Sequence, residues 1–392
     1  MKSAQRIASI DIFRAITMFL MIFVNDLWTL NDIPAWLGHA EAREDRLGLA
    51  DVVFPAFLFI VGLSIPFAIT NRRDVGSTDL STFFHILQRS FALIVMGLFM
   101  VNFENINGDL LPFSKYYWEI LMALAIFLVW TNYRSRKVMD VIPDWLMEVL
   151  GILIFIFLAV IYRSGTADSP EWMQTRWWGI LGLIGWAYLL NALIYLMMGP
   201  RILLATILLL FFHLMNVQEF NEIVGFRGMR IMIGASNHAL VMSGVFASIL
   251  YMKMKEKNKH HHFLWVLMGL AAVFIIYAYA VRPYWGISKI GATPSWTAIC
   301  TGISFAIYGL LYLIADIYRK TSWAGIIAPA GRSTLTCYLV PYYYYPLMAL
   351  IGIRLPMYLR EGYIGIIKSL LFALLIILIT RGLEKLNIRL KV

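Results

Sequence analysis

The sequence predicts an all-α, polytopic integral membrane protein of about 12 (10–12) transmembrane helices with both termini in the cytoplasm. Three observations lead there. The chain is 60% hydrophobic and only 14% charged, with a mean hydropathy of +0.73, whereas a soluble domain is roughly half apolar and a quarter charged. Apolar runs of about 20 residues, enough to cross a hydrocarbon core of ~30 Å, recur from end to end. Basic residues gather in alternate connections, the pattern that marks cytoplasmic loops.

The runs lie near 8–30, 49–70, 86–103, 116–132, 145–162, 177–198, 201–217, 236–252, 263–281, 296–317, 330–350 and 363–381. The first follows Lys2 and Arg6 but contains Asp11 and Arg14 and has no small-residue cleavage site. It reads as a retained helix rather than a signal peptide. Asp11 and Arg14 are one turn apart and can pair. Asn25 follows Asp11 by about four turns and returns to the same face, so one stripe of this helix is polar. The second run opens with Asp51 and carries Pro55, Gly62 and Pro66, an irregular backbone tolerated at depth only against protein or water. The runs 177–198 and 201–217 are separated only by "MMGPR".

Between the runs, Arg72, Arg73 and Arg89, then Arg134, Arg136 and Lys137, then Lys253 to Lys259, then Arg319 and Lys320, and finally Arg381, Lys385, Arg389 and Lys391 mark one side. The segments 31–48, 104–115, 163–176, 218–235, 282–295 and 351–362 then face outward. The net charge of +10 is therefore topological, and no nucleic-acid partner is expected. His260–His262 reads as a solvated run in a basic loop, and no metal is expected. Cys300 and Cys337 fall inside expected spans and define neither a disulfide framework nor a zinc motif. No P-loop, dinucleotide-binding glycine pattern or HExxH is present. The whole of 1–392 reads as a single transmembrane domain.

Charged groups inside spans face a protein interior or a water-filled cavity. Asp11, Arg14 and Asn25 are either structural polar contacts or, with His39 at the outer end of the same region, the lining of a site. Imidazole is the side chain suited to proton transfer near neutral pH. Glu41, Glu44 and Asp45 follow it, either as a solvated acidic rim or as an acceptor-side attraction for a cationic sugar. The segment "RPYWGISKIGATPSW" (282–296) offers Arg282 and Lys289 to an anion and Ser295 or Thr293 as a helix cap, or else is an interfacial loop with an aromatic belt. "APAGRSTLTCYLVPYYYYP" (328–346) is a third polar concentration.

"SIDIFRAITMFLMIFVND", "WLGHA" and "GLADVVFPAFLFIVGLSIPF" resemble the start of the heparan-α-glucosaminide N-acetyltransferase family. "WWGILGLIGWAYL", "SKIGATPSWTAICTGIS" and "AGRSTLTCYL" are similar to segments of its bacterial branch. The shared core is expected at about 1–132 and 236–392, with extra helices within about 163–217. The resemblance implies an acetyl-CoA-dependent acyltransferase in a bacterial inner membrane, acting as a single chain or a homodimer. It would move acetyl from the cytoplasm to the amine of a glucosamine-type sugar or glycan on the outer face. It also implies that His39 and Asn25 are catalytic, that Asp11 and Asp51 support the site, and that Arg14, Arg282, Lys289 and Ser295 are candidates for holding acetyl-CoA. The family's glycine after F-R is Ala15 here. The segment "HAEAREDRLGLAD" is longer and more acidic than in lysosomal members. O-acetylation of envelope glycans and sugar transport are the alternative activities.

Overall fold

The computed structural model describes residues 7–42, 44–133, 143–217 and 234–390. The charges expected of Lys2, Arg6, Arg134, Arg136, Lys137 and Lys391, and nearly all of the 218–235 segment, lie outside the described residues.

The helices follow the apolar runs: α1 (Ala8–Asp26), α2 (Ala50–Asp74), α3 (Asp79–Phe103), α4 (Lys115–Trp130), α5 (Asp144–Ile161), α6 (Gly179–Met198), α7 (Ile202–Met215), α8 (Ala235–Glu256), α9 (His260–Trp285), α10 (Pro294–Tyr312), α11 (Ala328–Arg332), α12 (Thr334–Leu339), α13 (Pro341–Ile351) and α14 (Gly362–Lys385). A two-stranded ribbon, β1 (Ser164–Gly165) with β2 (Pro170–Glu171), lies between α5 and α6. Among the described residues nine helices are long and apolar enough to cross a membrane. The fold is all-α and polytopic. The helices α4 and α7 are shorter, at 16 and 14 residues.

The run expected as one helix over 330–350 is broken into α11, α12 and α13. Ser333 leaves helical geometry (φ −124°, ψ 50°), and Pro341 opens α13 at a position where its missing N–H is harmless. The backbone freed at these breaks borders a cavity described below, which is where such irregularity is tolerated.

Packing is organised around α8, in which every residue from Ala235 to Tyr251 is buried. It meets α2 backbone to backbone at two glycines. A Cβ on Gly62 would lie 1.9 Å from the Val241 carbonyl oxygen, and one on Gly244 would lie 2.0 Å from that of Phe59. Small residues permit this approach, and dispersion rather than hydrophobic transfer then holds the pair in lipid. The peripheral helices α5 and α9 instead expose Ile152, Leu153 and Ile156, and Val273 and Ile276, as lipid-facing surfaces do.

Hydrogen bonds sort the connections into two ends. At one, Asn31 N–H donates to Arg360 O (2.8 Å), Gly362 N–H to Asn31 O (3.1 Å) and Asn107 N–H to Arg163 O (3.0 Å). At the other, Arg73 reaches Leu196 O (3.0 Å) and Asn132 N–H donates to Arg389 O (2.9 Å). The second end carries more of the described basic residues. There the Asp316 carboxylate accepts from the N–H groups of Ala8 (3.0 Å) and Ser9 (3.1 Å). It caps α1 from a distant element, satisfying donors that no intrahelical acceptor reaches.

Candidate active site

The segment between α1 and α2 folds back on itself just before α2. Leu49 N–H donates to Trp36 O (2.7 Å) and Ala50 N–H to Leu37 O (3.2 Å). This close return needs Gly48, since a Cβ there would fall 1.8 Å from the Gly38 carbonyl oxygen. Arg46 ties the loop from outside, donating to the carbonyls of Ala35 and His39 and to the Glu44 carboxylate.

Asp51, in the first turn of α2, is the hub. Its Oδ2 accepts from Ala40 N–H and Gly48 N–H, both at 3.0 Å. Its Oδ1 lies 2.7 Å from His39 Nδ1. The carboxylate is buried while the imidazole is half exposed. A carboxylate only accepts, so Nδ1 carries the proton and Nε2 presents its lone pair away from Asp51. This is the orienting logic of an acid–histidine pair, with the second ring nitrogen free to take a proton from a substrate. The main chain of Asp51 is fixed too: its carbonyl accepts from the Trp296 indole (3.1 Å) and contacts Cys300 Sγ (3.8 Å).

The loop between α9 and α10 docks onto the same place. Asp45 accepts from Arg282 (2.9 Å) and from Ile287 N–H (2.7 Å). Desolvation works against the charged form of Asp45, but these donors outweigh it and hold the carboxyl below the usual aspartate range. The docking brings Lys289 Nζ to 3.3 Å from His39 Nδ1. Burial lowers the pKa of Lys289, with the nearby Asp51 charge opposing. Because Nδ1 already donates to Asp51, the ammonium acts there as a neighbouring charge.

Two cavities approach this centre from opposite ends. The larger, about 780 Å³, is lined by His39, Asn25, Trp28, Glu104, Glu119 and Trp177 among others. The smaller, about 340 Å³, is lined by Arg14, Arg89, Arg332, Ser64, Ser333 and Tyr188 among others. Ile180 and Tyr338 line both. In the smaller cavity Arg14 pairs with Asp11 (3.2 Å) and donates to Ser64 Oγ (2.8 Å). Arg89 lies over the Tyr188 ring, and Arg332 pairs with Glu384 (2.9 Å).

The structure therefore joins His39, Asp51 and Lys289, and puts Asn25 in the His39 cavity. It orients the imidazole through Asp51, where the sequence tied it to Asn25. It does not gather the four residues expected around the acetyl donor. Arg14 lies in the arginine-lined cavity, Arg282 is held by Asp45, and Lys289 is at the histidine. Ser295 is fully buried in α10, which is capped by Thr293 instead. Of the acidic run, Glu44 pairs with Arg46 and Asp45 with Arg282, while Glu41 is exposed and its N–H donates to Glu44. His260 Nδ1 meets the Tyr312 hydroxyl at 2.7 Å.

Several groups were not singled out from the sequence. Buried Asp26 accepts from Tyr345 (2.7 Å), Lys368 (2.6 Å) and Ser369 (2.6 Å), locking α1 to α13 and α14. Arg89, Glu104 and Glu119 line the cavities. The available signal was a charge inside or beside an apolar helix, which rarely lacks a purpose.

Comparison with known proteins bears on the first part of the chain. Residues 6–177 match the family model for the catalytic region of heparan-alpha-glucosaminide N-acetyltransferase. The family resemblance holds. Mouse heparan-alpha-glucosaminide N-acetyltransferase is 36% identical over 112 residues, 28% of this chain and 16% of its own length. The human protein of that name is 37% identical over 109 residues, 27% of this chain and 15% of its own length. The matches thus span a small part of these curated relatives. The family-model match contains Arg14, Asn25, His39, Asp51, Arg89, Glu104 and Glu119, and ends before Lys289, Arg332 and Tyr338.

Proposed function

We propose that this protein is a membrane acetyltransferase that takes acetyl from cytoplasmic acetyl-CoA and delivers it to the amine of a glucosamine-type sugar on the outer face. The observation that carries this reading is the Asp51–His39 pair at a cavity backed, across Ile180 and Tyr338, by an arginine-lined cavity at the basic end. The match to the acetyltransferase model over residues 6–177 supports it.

Amide formation from a thioester needs a deprotonated amine, a stabilised oxyanion and exclusion of water. In this reading His39 Nε2 accepts a proton from the attacking amine as the N–C bond forms. The tetrahedral intermediate collapses with cleavage of the C–S bond, and the thiolate of CoA leaves and takes the proton back from the imidazolium. Asp51 holds the imidazole in the tautomer this requires and stabilises its charged form. The Asn25 amide donates to the thioester oxygen. Arg14, Arg89 and Arg332 serve the phosphates of CoA, for which guanidinium forks are well matched. The pantetheine arm then reaches past Tyr338 toward His39.

His39→Ala, purified and supplied with labelled acetyl-CoA and glucosamine, should lose about 10²- to 10⁴-fold in transfer rate, the usual worth of a general base. Undiminished transfer by that variant would overturn the assignment.

A further inference from the structure

The larger cavity holds a carboxylate that the mechanism above does not use. Glu119 sits in α4, 6% exposed, and lines the cavity shared with His39 and Asn25. Among the described residues it has no hydrogen-bond or ion-pair partner. Lys115, one turn earlier on α4, lines the same cavity with its Nζ over the Tyr116 ring at 5.8 Å; its charge acts on Glu119 across the cavity without forming an ion pair. A buried carboxylate with no hydrogen bond or ion pair is costly, and a cavity is where such a cost is offset by a ligand. Around it stand a second carboxylate, Glu104, and the rings of Trp28, Tyr116, Trp177 and Tyr342. Burial raises the pKa of Glu104 above the ordinary glutamate value, opposed by the Trp177 indole that donates to it and by Arg176.

We infer that Glu119, assisted by Glu104, is the subsite that first captures the acceptor as a cation: an amino sugar held by its ammonium group between carboxylates and aromatic faces, which passes that ammonium proton to a carboxylate before the neutral amine meets the thioester at His39. The inference rests on the acetyltransferase reading for the identity of the acceptor and goes beyond it in naming what selects an amine. A carboxylate pairs with an ammonium by charge-assisted hydrogen bonds, and aromatic faces attract the same charge. A neutral sugar of the same shape leaves Glu119 without a counter-charge and is rejected for that reason, because discrimination is strongest where the wrong ligand strands a buried polar group. In the acidic run, by contrast, Glu44 is occupied with Arg46 and Asp45 with Arg282. Amine selection thereby moves from the rim to the cavity wall.

The test is equilibrium binding of glucosamine and of glucose to the full chain in detergent micelles, read by quenching of tryptophan fluorescence, beside the acetyl-CoA transfer assay. Wild type is expected to prefer glucosamine. Glu119→Gln is expected to weaken glucosamine binding by about tenfold or more, as loss of a desolvated charge partner does, and to leave glucose binding unchanged. Glu104→Gln, on an accessible loop, is expected to show a smaller loss of the same kind and carries the test should Glu119→Gln fail to fold. Unchanged glucosamine binding in the variants, or an equal loss for both sugars, overturns the inference. Amine-selective binding with no transfer in wild type upholds the subsite and overturns the acetyltransferase reading. Transfer with variants indistinguishable from wild type does the reverse.

Discussion

His39 shows how one side chain acquires a role from its neighbours. Alone, an imidazole in a loop is weak evidence for chemistry. Here its Nδ1 is 2.7 Å from a buried carboxylate, and that carboxylate is fixed by two backbone donors. Asp51→Asn should therefore reduce kcat by about 10²- to 10⁴-fold while leaving the KM for acetyl-CoA nearly unchanged. A purely structural Asp51 would lower the amount of folded protein and affect both constants, so steady-state kinetics on the folded fraction decide between the roles. The polar stripe of the first helix was legible in the sequence, and His39 and Asp51 stood out there as candidates. The specific bond between them was not, because it depends on a loop return that no periodicity encodes. Asp26 stands beside Asn25 in the same motif, yet its partners Tyr345, Lys368 and Ser369 lie over 300 residues away in sequence. Nothing local distinguishes that anchor from a helix-end aspartate.

At the scale of elements, two loops make the site and each has its own physical control. The return between α1 and α2 depends on Gly48 lying against the Gly38 carbonyl. Gly48→Ala should displace Gly38 and with it His39, lowering kcat by about tenfold or more, as small misplacements of catalytic groups do, with helix content by circular dichroism unaltered. Wild-type kcat in Gly48→Ala would show that the loop adapts. The loop between α9 and α10 is held through Asp45. Its pKa is depressed on folding, so the stabilisation it gives is complete above the unfolded aspartate value and is lost as pH falls through the lower, folded value. Acid should thus begin to loosen this loop below the unfolded aspartate value of about 3.9 and release it once pH has fallen through the folded value. Limited proteolysis within 282–293 should accelerate there in wild type, whereas Asp45→Asn should be cleaved readily at neutral pH as well. Equal, pH-independent cleavage of both proteins would remove Asp45 from this role. The helices themselves were legible because apolar runs in lipid have few alternatives. The breaks at Ser333 and Pro341 were not placed, since proline and serine inside an apolar run mark a possible interruption and the surrounding helices decide it.

At the scale of the molecule, the proposed reaction requires the two cavities to open toward opposite compartments. The hydrogen-bonded ends of the bundle supply two groups of connections, and among the described residues one carries more basic residues than the other. The positive-inside bias assigns that group to the cytoplasm. In the proposed orientation Arg14, Arg89 and Arg332 lie on the side where acetyl-CoA is made, and His39 on the far side. The assignment is testable by single-cysteine labelling of intact cells with a membrane-impermeant maleimide. The native Cys300 and Cys337 are both buried, so background reaction should be low. Glu41 and Lys257 are both exposed and lie in connections at opposite ends. Glu41→Cys should react in intact cells, whereas Lys257→Cys should react only after permeabilisation. The reverse pattern would invert the topology and turn His39 toward the donor's own compartment. Acetyl would then have no membrane to cross, and the partition formed by Ile180 and Tyr338 would lose its proposed purpose.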